Sequence, residues 1–231
     1  MMTQEQRKEY MKNYKEFFGK YNEQMPNLIG EGFKPMSVYD IIEKRLDGDK
    51  YFEDNYFDTC DAIVYGKKGK FKIIKNCLAL LNITPKTKLE RGAIKISKVE
   101  YENYTAREFN KESTKEEIWK YFLEDLYERY IKKLGYCPEV YRSQEEFRIL
   151  AFCVFGLDGG SRLGGGVHLD VDDCRLVGYL ASETQAQSMI PHCLICNVPM
   201  KNSIDSKTKK ISKYLWETNC EHLRGMRLSI G

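Results

Sequence analysis

The sequence predicts an α+β protein in which helices pack on a small antiparallel sheet. Two kinds of segment carry this prediction. In one kind, apolar residues recur every three or four positions behind a capping residue, which is typical of amphipathic helices. In the other, apolar and polar residues alternate beside a glycine-rich turn, which indicates hairpin strands. At 231 residues, with 42% hydrophobic and 31% charged, the chain is long and apolar enough to bury a full core.

Each predicted helix has a signal for its start or its end. The first predicted helix, residues 10–21, follows a capping box at 3–6 and ends before Pro26, and the second, residues 38–46, lies between Ser37 and Gly48. The third, residues 113–134, starts with a capping box at 113–116 and ends at Gly135. The fourth, residues 143–152, starts at Ser143. The last of these runs into the apolar stretch 149–155.

Strands are predicted where the alternation is clearest. Residues 60–65 and 70–75 flank the turn Gly66–Gly69 and indicate a hairpin. Residues 93–101 alternate well enough for another strand, and 174–181 read as a buried strand. The apolar segment 77–83 fits either a short helix or a buried strand.

The C-terminal region contains two pairs of potential metal ligands. Cys193 and Cys196 stand two residues apart, and Cys220 and His222 form a second pair. A Cys-x2-Cys turn directs two sulfur atoms at one point, and zinc takes four such ligands in a tetrahedron. Since buried reduced cysteines are also common, the same residues fit a plain core.

Between the pairs, residues 199–204 and 211–218 predict two strands joined by a polar turn, which would bring the pairs together. This segment, residues 191–223, resembles a zinc ribbon, a module often found in nucleic-acid-handling proteins. The resemblance implies a structural zinc ion. The second pair departs from the usual spacing, so His192 competes with His222 as the fourth ligand. We predict a main domain at 1–181 and the ribbon module at 182–231.

The C-terminal region is also the basic part of the chain. The net charge is +3, and residues 190–231 carry five Lys and two Arg against one Asp and two Glu, a local charge of +4. Basic surfaces attract phosphate backbones. The residues predicted to contact nucleic acid are Lys67, Lys68, Lys70, Lys207, Lys209, Lys210, Lys213 and Trp216. On the first hairpin, lysines that protect a sheet edge are the alternative.

Six glycines within Gly156–Gly166 indicate either a loop that lets backbone amides approach a ligand or a mobile connection. Beyond it, Asp170, Asp172 and Asp173 with His168 could hold Mg²⁺ or act in acid–base chemistry, although aspartates are also common in surface turns. Asp61 could start a nuclease motif, but the next strand lacks the required acid.

No apolar run is long enough for a membrane helix, and no signal-peptide pattern follows the charged start, so we expect a cytoplasmic location, no membrane partner and reduced cysteines. The predicted function is a zinc protein that binds nucleic acid or a nucleic-acid-handling partner without catalysis. The first alternative is a magnesium-dependent nuclease or phosphoryl-transfer enzyme that uses the acids at 170–173. The second is an inhibitor or scaffold that binds proteins through aromatic-rich helices.

Overall fold

A computed structural model describes residues 13–143, 145–156 and 161–180, and the backbone of three further strands within 201–229. Contacts divide the chain into two compact units. The first comprises residues 1–101 and 106–180, and the second comprises residues 102–105 and 181–231.

The first unit is dominated by strands. Its strands are β1 (Tyr14–Gly19), β2 (Phe33–Pro35), β3 (Phe57–Tyr65), β4 (Phe71–Ile74), β5 (Leu89–Glu90), β6 (Ala93–Lys95), β7 (Glu108–Phe109), β8 (Glu139–Arg142), β9 (Arg148–Val154), β10 (Arg162–Val167) and β11 (Cys174–Leu180). The helices of the described chain are short. They are α1 (Tyr21–Gly30), α2 (Val38–Leu46), α3 (Lys50–Asp54), α4 (Leu78–Leu81), α5 (Lys98–Asn103), α6 (Lys115–Leu123) and α7 (Tyr127–Leu134), with a 3₁₀ turn at Glu124–Leu126.

The strands of the described first unit form one mixed sheet of 11 strands, with the central order β1-β11-β3-β9-β10-β8. Strand β9 is antiparallel to both β3 and β10, whereas β11 is parallel to β3 and β8 is parallel to β10. The first strand lies beside the last strand of the unit, with Tyr14 opposite Tyr179 and Gly19 opposite Cys174. The sheet therefore joins the two ends of the unit.

The core lies between this sheet and helices α2, α6 and α7. Every residue of β3 is buried, as expected for a central strand covered on both faces. Trp119 and Phe122 of α6 and Tyr130 of α7 are at most 1% exposed, and the rings of Phe122 and Phe152 pack edge to face at 5.0 Å.

A buried carboxylate fixes the start of α2 to the sheet. Asp61 of β3 accepts hydrogen bonds from the backbone N–H groups of Val38 and Asn76, each at 2.8 Å. Ser37 caps the same helix in a capping box with Asp40. Asp61 is thus a structural residue that ties two loops together, which is a role different from the nuclease motif considered from the sequence.

The predicted fold class is wrong. The structure contains a large mixed sheet with few short helices, whereas the sequence predicted helices on a small antiparallel sheet. The error comes from two segments. Residues 14–19 form β1 and residues 148–154 form β9, although both were predicted as parts of helices. Both are rich in aromatic or aliphatic residues, and pairing with neighbouring strands overrides their weak local helical preference.

Other predicted elements are confirmed. Helix α2 starts behind Ser37 as predicted, and β3 and β4 form the predicted antiparallel hairpin. The predicted helix at 113–134 is present but is broken by the 3₁₀ turn, and its capping box uses Thr114 and Glu117, one residue later than predicted. Gly135 ends it with a φ of 76°, and β11 is the predicted buried strand.

One further prediction is only half confirmed, and one open alternative is decided. Residues 93–101 form strand β6 only at 93–95, followed by helix α5, so half of that prediction fails. Of the two possibilities for residues 77–83, the structure has a helix, α4.

The second unit contains a three-stranded antiparallel sheet of β12 (Lys201–Ile204), β13 (Ile211–Glu217) and β14 (Leu228–Ser229). Lys201 lies opposite Glu217 and Ile204 opposite Ile211, so the predicted pairing of these two strands is confirmed. The residues predicted to bind zinc lie outside the described part of the chain. Within the described residues, no helix is both long and apolar enough to cross a membrane.

Candidate functional site

A cleft of about 850 Å³ lies on the face of the sheet formed by β8, β10, β9 and the start of β3. Its floor follows one row of paired residues. Tyr141 of β8 lies opposite Gly164 of β10, Gly164 lies opposite Cys153 of β9, and Cys153 lies opposite Asp58 of β3. Because paired residues point to the same face of a sheet, the residues of this row are the ones that a ligand on the cleft floor would contact.

The three glycines of β10 differ in what lies next to them. A Cβ atom on Gly164 would lie 2.9 Å from Phe155 Cε2, so the Phe155 ring occupies the space that a side chain would need. A Cβ atom on Gly166 would meet only Ser143, at 3.6 Å. Gly165 points the opposite way, toward Phe152 and Ile63 of the core. The glycine-rich segment, predicted as a phosphate loop or a mobile connection, therefore ends in a strand, β10, that forms the cleft floor.

Aromatic rings and an arginine form the walls. Tyr141 is 55% exposed and Tyr56 is 39% exposed, which is unusual for large rings in this chain. The Arg162 guanidinium lies 4.3 Å from the centre of the Phe155 ring and 5.7 Å from that of Tyr141. Among the described residues, no carboxylate pairs with Arg162. Its charge is therefore held against two rings at the border of the cleft.

Asp58 is the acidic group at the floor. It is 4% exposed, and its Oδ2 accepts a hydrogen bond from the backbone N–H of Arg175 at 2.8 Å. Burial raises the pKa of Asp58 to about 6. Cys153 and Cys174 lie beside it, and burial raises the pKa of both thiols well above their ordinary range. These thiols therefore stay protonated and are poor nucleophiles.

The Tyr56 side of the cleft is held in place by Arg175. This arginine donates to Asn55 Oδ1 at 2.7 Å and to Glu16 Oε1 at 2.6 Å. Its guanidinium also lies 5.0 Å from the Phe57 ring centre and 5.8 Å from that of Tyr56. Since Glu16 belongs to β1 and Arg175 to β11, the pairing of the first and last strands of the unit supports the wall of the cleft.

One of the first-hairpin lysines predicted to contact nucleic acid is paired with an acid. Lys70 pairs with Glu108 at 2.7 Å, and the buried Lys72 amine donates to the Tyr101 carbonyl at 3.0 Å. Lys67 and Lys68 are exposed, but the rings expected to stack on bases, Tyr65 and Phe71, are each 2% exposed. This arrangement agrees with lysines at a sheet margin paired to nearby acceptors.

The remaining predicted contacts to nucleic acid and zinc fall outside what the structure describes. Lys213 and Trp216 lie on β13, of which only the backbone is described. The others lie outside the described residues, namely Lys207, Lys209, Lys210, Cys193, Cys196, Cys220 and His222. The zinc ribbon and its zinc ion stay predictions.

The acids at 170–173 form no metal site. His168, Asp170, Asp172 and Asp173 are all exposed on the turn between β10 and β11, and within the described residues no group of three or more His, Cys, Asp or Glu side chains could hold a metal ion. Only His168 and Asp173 of these line the cleft. These aspartates fit the alternative interpretation, in which they belong to a surface turn.

The principal residues of the cleft were missed from the sequence. Asp58, Tyr56, Tyr141 and Arg162 lie on separate segments, and no spacing links them. The one available signal was the run of glycines beside a strongly apolar segment, which indicated an unusual backbone and gave no information on its partners. Only the strand register brings these side chains together.

Comparison with known proteins gives a fold and no family. No protein-family model and no curated protein matches the chain. A solved structure, described as the accommodation of massive sequence variation in Nanoarchaeota by the C-type lectin fold, matches with a TM-score of 0.52 and 14% identity over 72% of this chain and 97% of the other. The chain resembles the C-type lectin fold.

This resemblance overturns the function predicted from the sequence. The C-type lectin-like fold and the lack of a metal-binding group among the described residues contradict the predicted function in nucleic-acid binding, and the acids of the alternative magnesium-dependent enzyme form no metal group. The predicted zinc ligands lie outside these residues. The scaffold alternative required exposed aromatic residues on helices. Those rings, including Trp119, Phe122 and Tyr130, form the core of the C-type lectin-like unit.

Proposed function

We propose that the C-type lectin-like unit is a recognition domain that binds an extended segment of another polypeptide in the cleft floored by β10. The observation that carries the proposal is a cleft lined by two exposed tyrosines, Tyr56 and Tyr141, with Arg162 beside Tyr141. Arg162 has no carboxylate partner among the described residues. Tyrosine and arginine dominate the energetic centres of protein interfaces because they bury large areas and still form polar contacts.

The floor of the cleft supports a polypeptide ligand. Gly166 places no side chain over the backbone of β10, and a Cβ there would meet Ser143 only at 3.6 Å, so a ligand backbone can approach closely at this residue. The walls supply apolar area for side chains. A cleft of about 850 Å³ lies within the range of ligand sites.

The structural neighbour gives a second, weaker support. It is described as accommodating massive sequence variation with the C-type lectin fold. A scaffold of that kind suits recognition, because surface residues can change while the core stays the same. In this chain the core residues and the cleft residues are separate. Gly165 and Phe152 belong to the core, whereas Gly164, Gly166 and Tyr141 face the cleft.

Selection of peptides on the protein tests the proposal. A random dodecapeptide library displayed on phage is selected on the wild type, and the enriched peptides are measured on a Gly166→Trp variant, whose indole fills the cleft. We expect at least a tenfold loss of affinity. The matched control is Val99→Trp, which adds the same ring at an exposed position outside the cleft and should leave binding unchanged.

The proposal fails if no peptide is enriched, or if the enriched peptides bind the wild type and Gly166→Trp equally. Thermal unfolding of both tryptophan variants checks that each is folded. Because a Cβ on Gly166 makes only an ordinary contact with Ser143, the cleft-filling variant is expected to fold.

A further inference from the structure

One end of the cleft carries two carboxylates that lack a counter-ion. Among the described residues, no Lys, Arg or His side chain pairs with Asp58 or Asp173. Two other largely buried acids are paired, Glu53 with Lys133 at 2.6 Å and Glu16 with Arg175 at 2.6 Å. The buried Asp61 also has no cationic partner among the described residues, but each of its carboxylate oxygens accepts a backbone N–H group. Asp58 differs from Asp61 because it accepts a single backbone N–H group and lines a cleft.

The burial of Asp58 makes the missing partner significant. Moving an isolated charge out of water is unfavourable unless another charge or several hydrogen bonds compensate. Asp58 accepts a hydrogen bond from one backbone donor, the N–H of Arg175, and has the thiols of Cys153 and Cys174 as further hydrogen-bond partners. The guanidinium of Arg175 is directed to Glu16 and Asn55. The neighbouring thiols are neutral and supply no positive charge. The ionised carboxylate borders an open cleft from which a cation could reach it.

An aromatic ring adjoins these acids. The Tyr56 hydroxyl donates to the backbone carbonyl of Asp173 at 3.2 Å, which places the exposed ring at the acidic end. An aromatic face beside carboxylates favours a cation that also has apolar surface, because the ring supplies both a negative face and contact area. Lysine and arginine side chains have this character, with a charged head on an aliphatic stem.

We propose that the acidic end of the cleft, formed by Asp58, Asp173 and Tyr56, receives a lysine or arginine side chain of the bound polypeptide. This inference rests on the proposed function and names the feature of the ligand that the cleft selects. Arg162 lies on β10, which strand β9 separates from β3. Its positive charge repels a basic side chain of the ligand from the β10 side of the cleft. The ligand therefore presents its basic side chain to the β3 side of the cleft.

The test uses a charged probe and its neutral analogue. N-acetyl-arginine amide and N-acetyl-citrulline amide, which have nearly the same shape, are titrated into the ¹⁵N-labelled full chain and followed by backbone amide shifts. We expect arginine amide to bind at least tenfold more tightly than citrulline amide, with the largest shifts at residues 56–58 and 171–173. Asp58→Asn and Asp173→Asn should each weaken arginine amide at least threefold.

Asp172→Asn is the matched control, because Asp172 is a neighbouring exposed acid that does not line the cleft. It should leave the affinity unchanged. If Asp58→Asn fails to fold, Asp173→Asn decides alone. Equal binding of the two amides, no binding of arginine amide, or arginine binding that is insensitive to the aspartate variants overturns the inference.

The two proposals can fail separately. Library peptides that need the open cleft, together with no preference for arginine over citrulline, would reject the basic side chain and keep the recognition domain. Library peptides that ignore Gly166→Trp would reject the recognition domain itself.

Discussion

The hydroxyl of Tyr65 donates a hydrogen bond to the carbonyl oxygen of Gly165 at 2.6 Å and accepts one from the backbone N–H of Ser143 at 2.8 Å. One buried side chain on β3 thus holds the end of β8 and the glycine strand β10 in place, although β9 lies between β3 and β10. These bonds position the cleft floor from the core side.

Tyr65→Phe removes both of these hydrogen bonds while keeping the ring. We expect the free energy of unfolding to fall by about 1–3 kcal/mol, because a backbone donor and acceptor lose their partner in a buried place. Urea denaturation measures the change. Tyr141→Phe is the control, since that exposed hydroxyl has no hydrogen-bond partner among the described residues, and its effect should be near zero. An equal effect of the two variants would contradict the assigned role.

Gly165→Ala and Gly166→Ala compare the two faces of β10. A Cβ on Gly165 would lie 2.7 Å from Phe152 Cε1 and 3.2 Å from Ile63 Cδ1, so the core must shift, and we expect a loss of about 1–3 kcal/mol of unfolding free energy. The Cβ on Gly166 meets Ser143 at 3.6 Å, so Gly166→Ala should change stability by less than about 1 kcal/mol. A reversed order, measured by thermal unfolding, would contradict the strand's orientation.

Asp58 makes stability depend on pH. Its carboxyl titrates near 3.8 when solvated and near 6 in the folded protein, so between these values the native state binds more protons than the unfolded state. The stability from this group is fully present below about pH 4 and is lost as the pH rises through 6. We expect Asp58→Asn to gain stability relative to wild type by up to about 3 kcal/mol between pH 4 and pH 7.

Urea denaturation of wild type and Asp58→Asn at several pH values measures this difference, and the subtraction removes the contributions of other carboxyls. Asp172→Asn is the control, because its side chain is exposed. A difference between Asp58→Asn and wild type that stays constant with pH would show that Asp58 titrates normally.

Arg175 and Glu16 should be strongly coupled. Their side chains are 13% and 16% exposed, so removing the guanidinium leaves a largely buried carboxylate without its partner. We expect Arg175→Met to lower the free energy of unfolding by about 3–5 kcal/mol, and Glu16→Gln in the same chain to recover part of the loss. A double-mutant cycle in urea measures the coupling. Strict additivity would show that the two charges act independently.

Local signals in the sequence were sufficient to predict a helix cap, a helix end and a hairpin turn. Ser37 and Asp40 form a cap from residues three apart, Gly135 ends α7 through a left-handed φ, and the glycine turn after Tyr65 makes a hairpin. Each of these is decided by neighbours along the chain, so the helices and hairpin followed from short-range chemistry.

The same reasoning failed for β1, β9 and the cleft. An apolar run such as Ile149–Val154 fits a buried helix or a buried strand equally well, and only pairing with β3 and β10 decides between them. The glycines indicated a backbone that a ligand could approach. They gave no indication that Asp58, Cys153 and Tyr141 would lie in one row with Gly164 across neighbouring strands.

The sequence by itself determined the caps, the turns and the hairpin of β3 and β4, because these depend on bonds among residues a few positions apart. The tertiary structure alone decided the size of the sheet and the composition of the cleft. The physical reason is that Tyr141, Gly164, Cys153 and Asp58 become neighbours through hydrogen-bond register between strands that are up to about a hundred residues apart, and that register is fixed by which faces the whole core can bury.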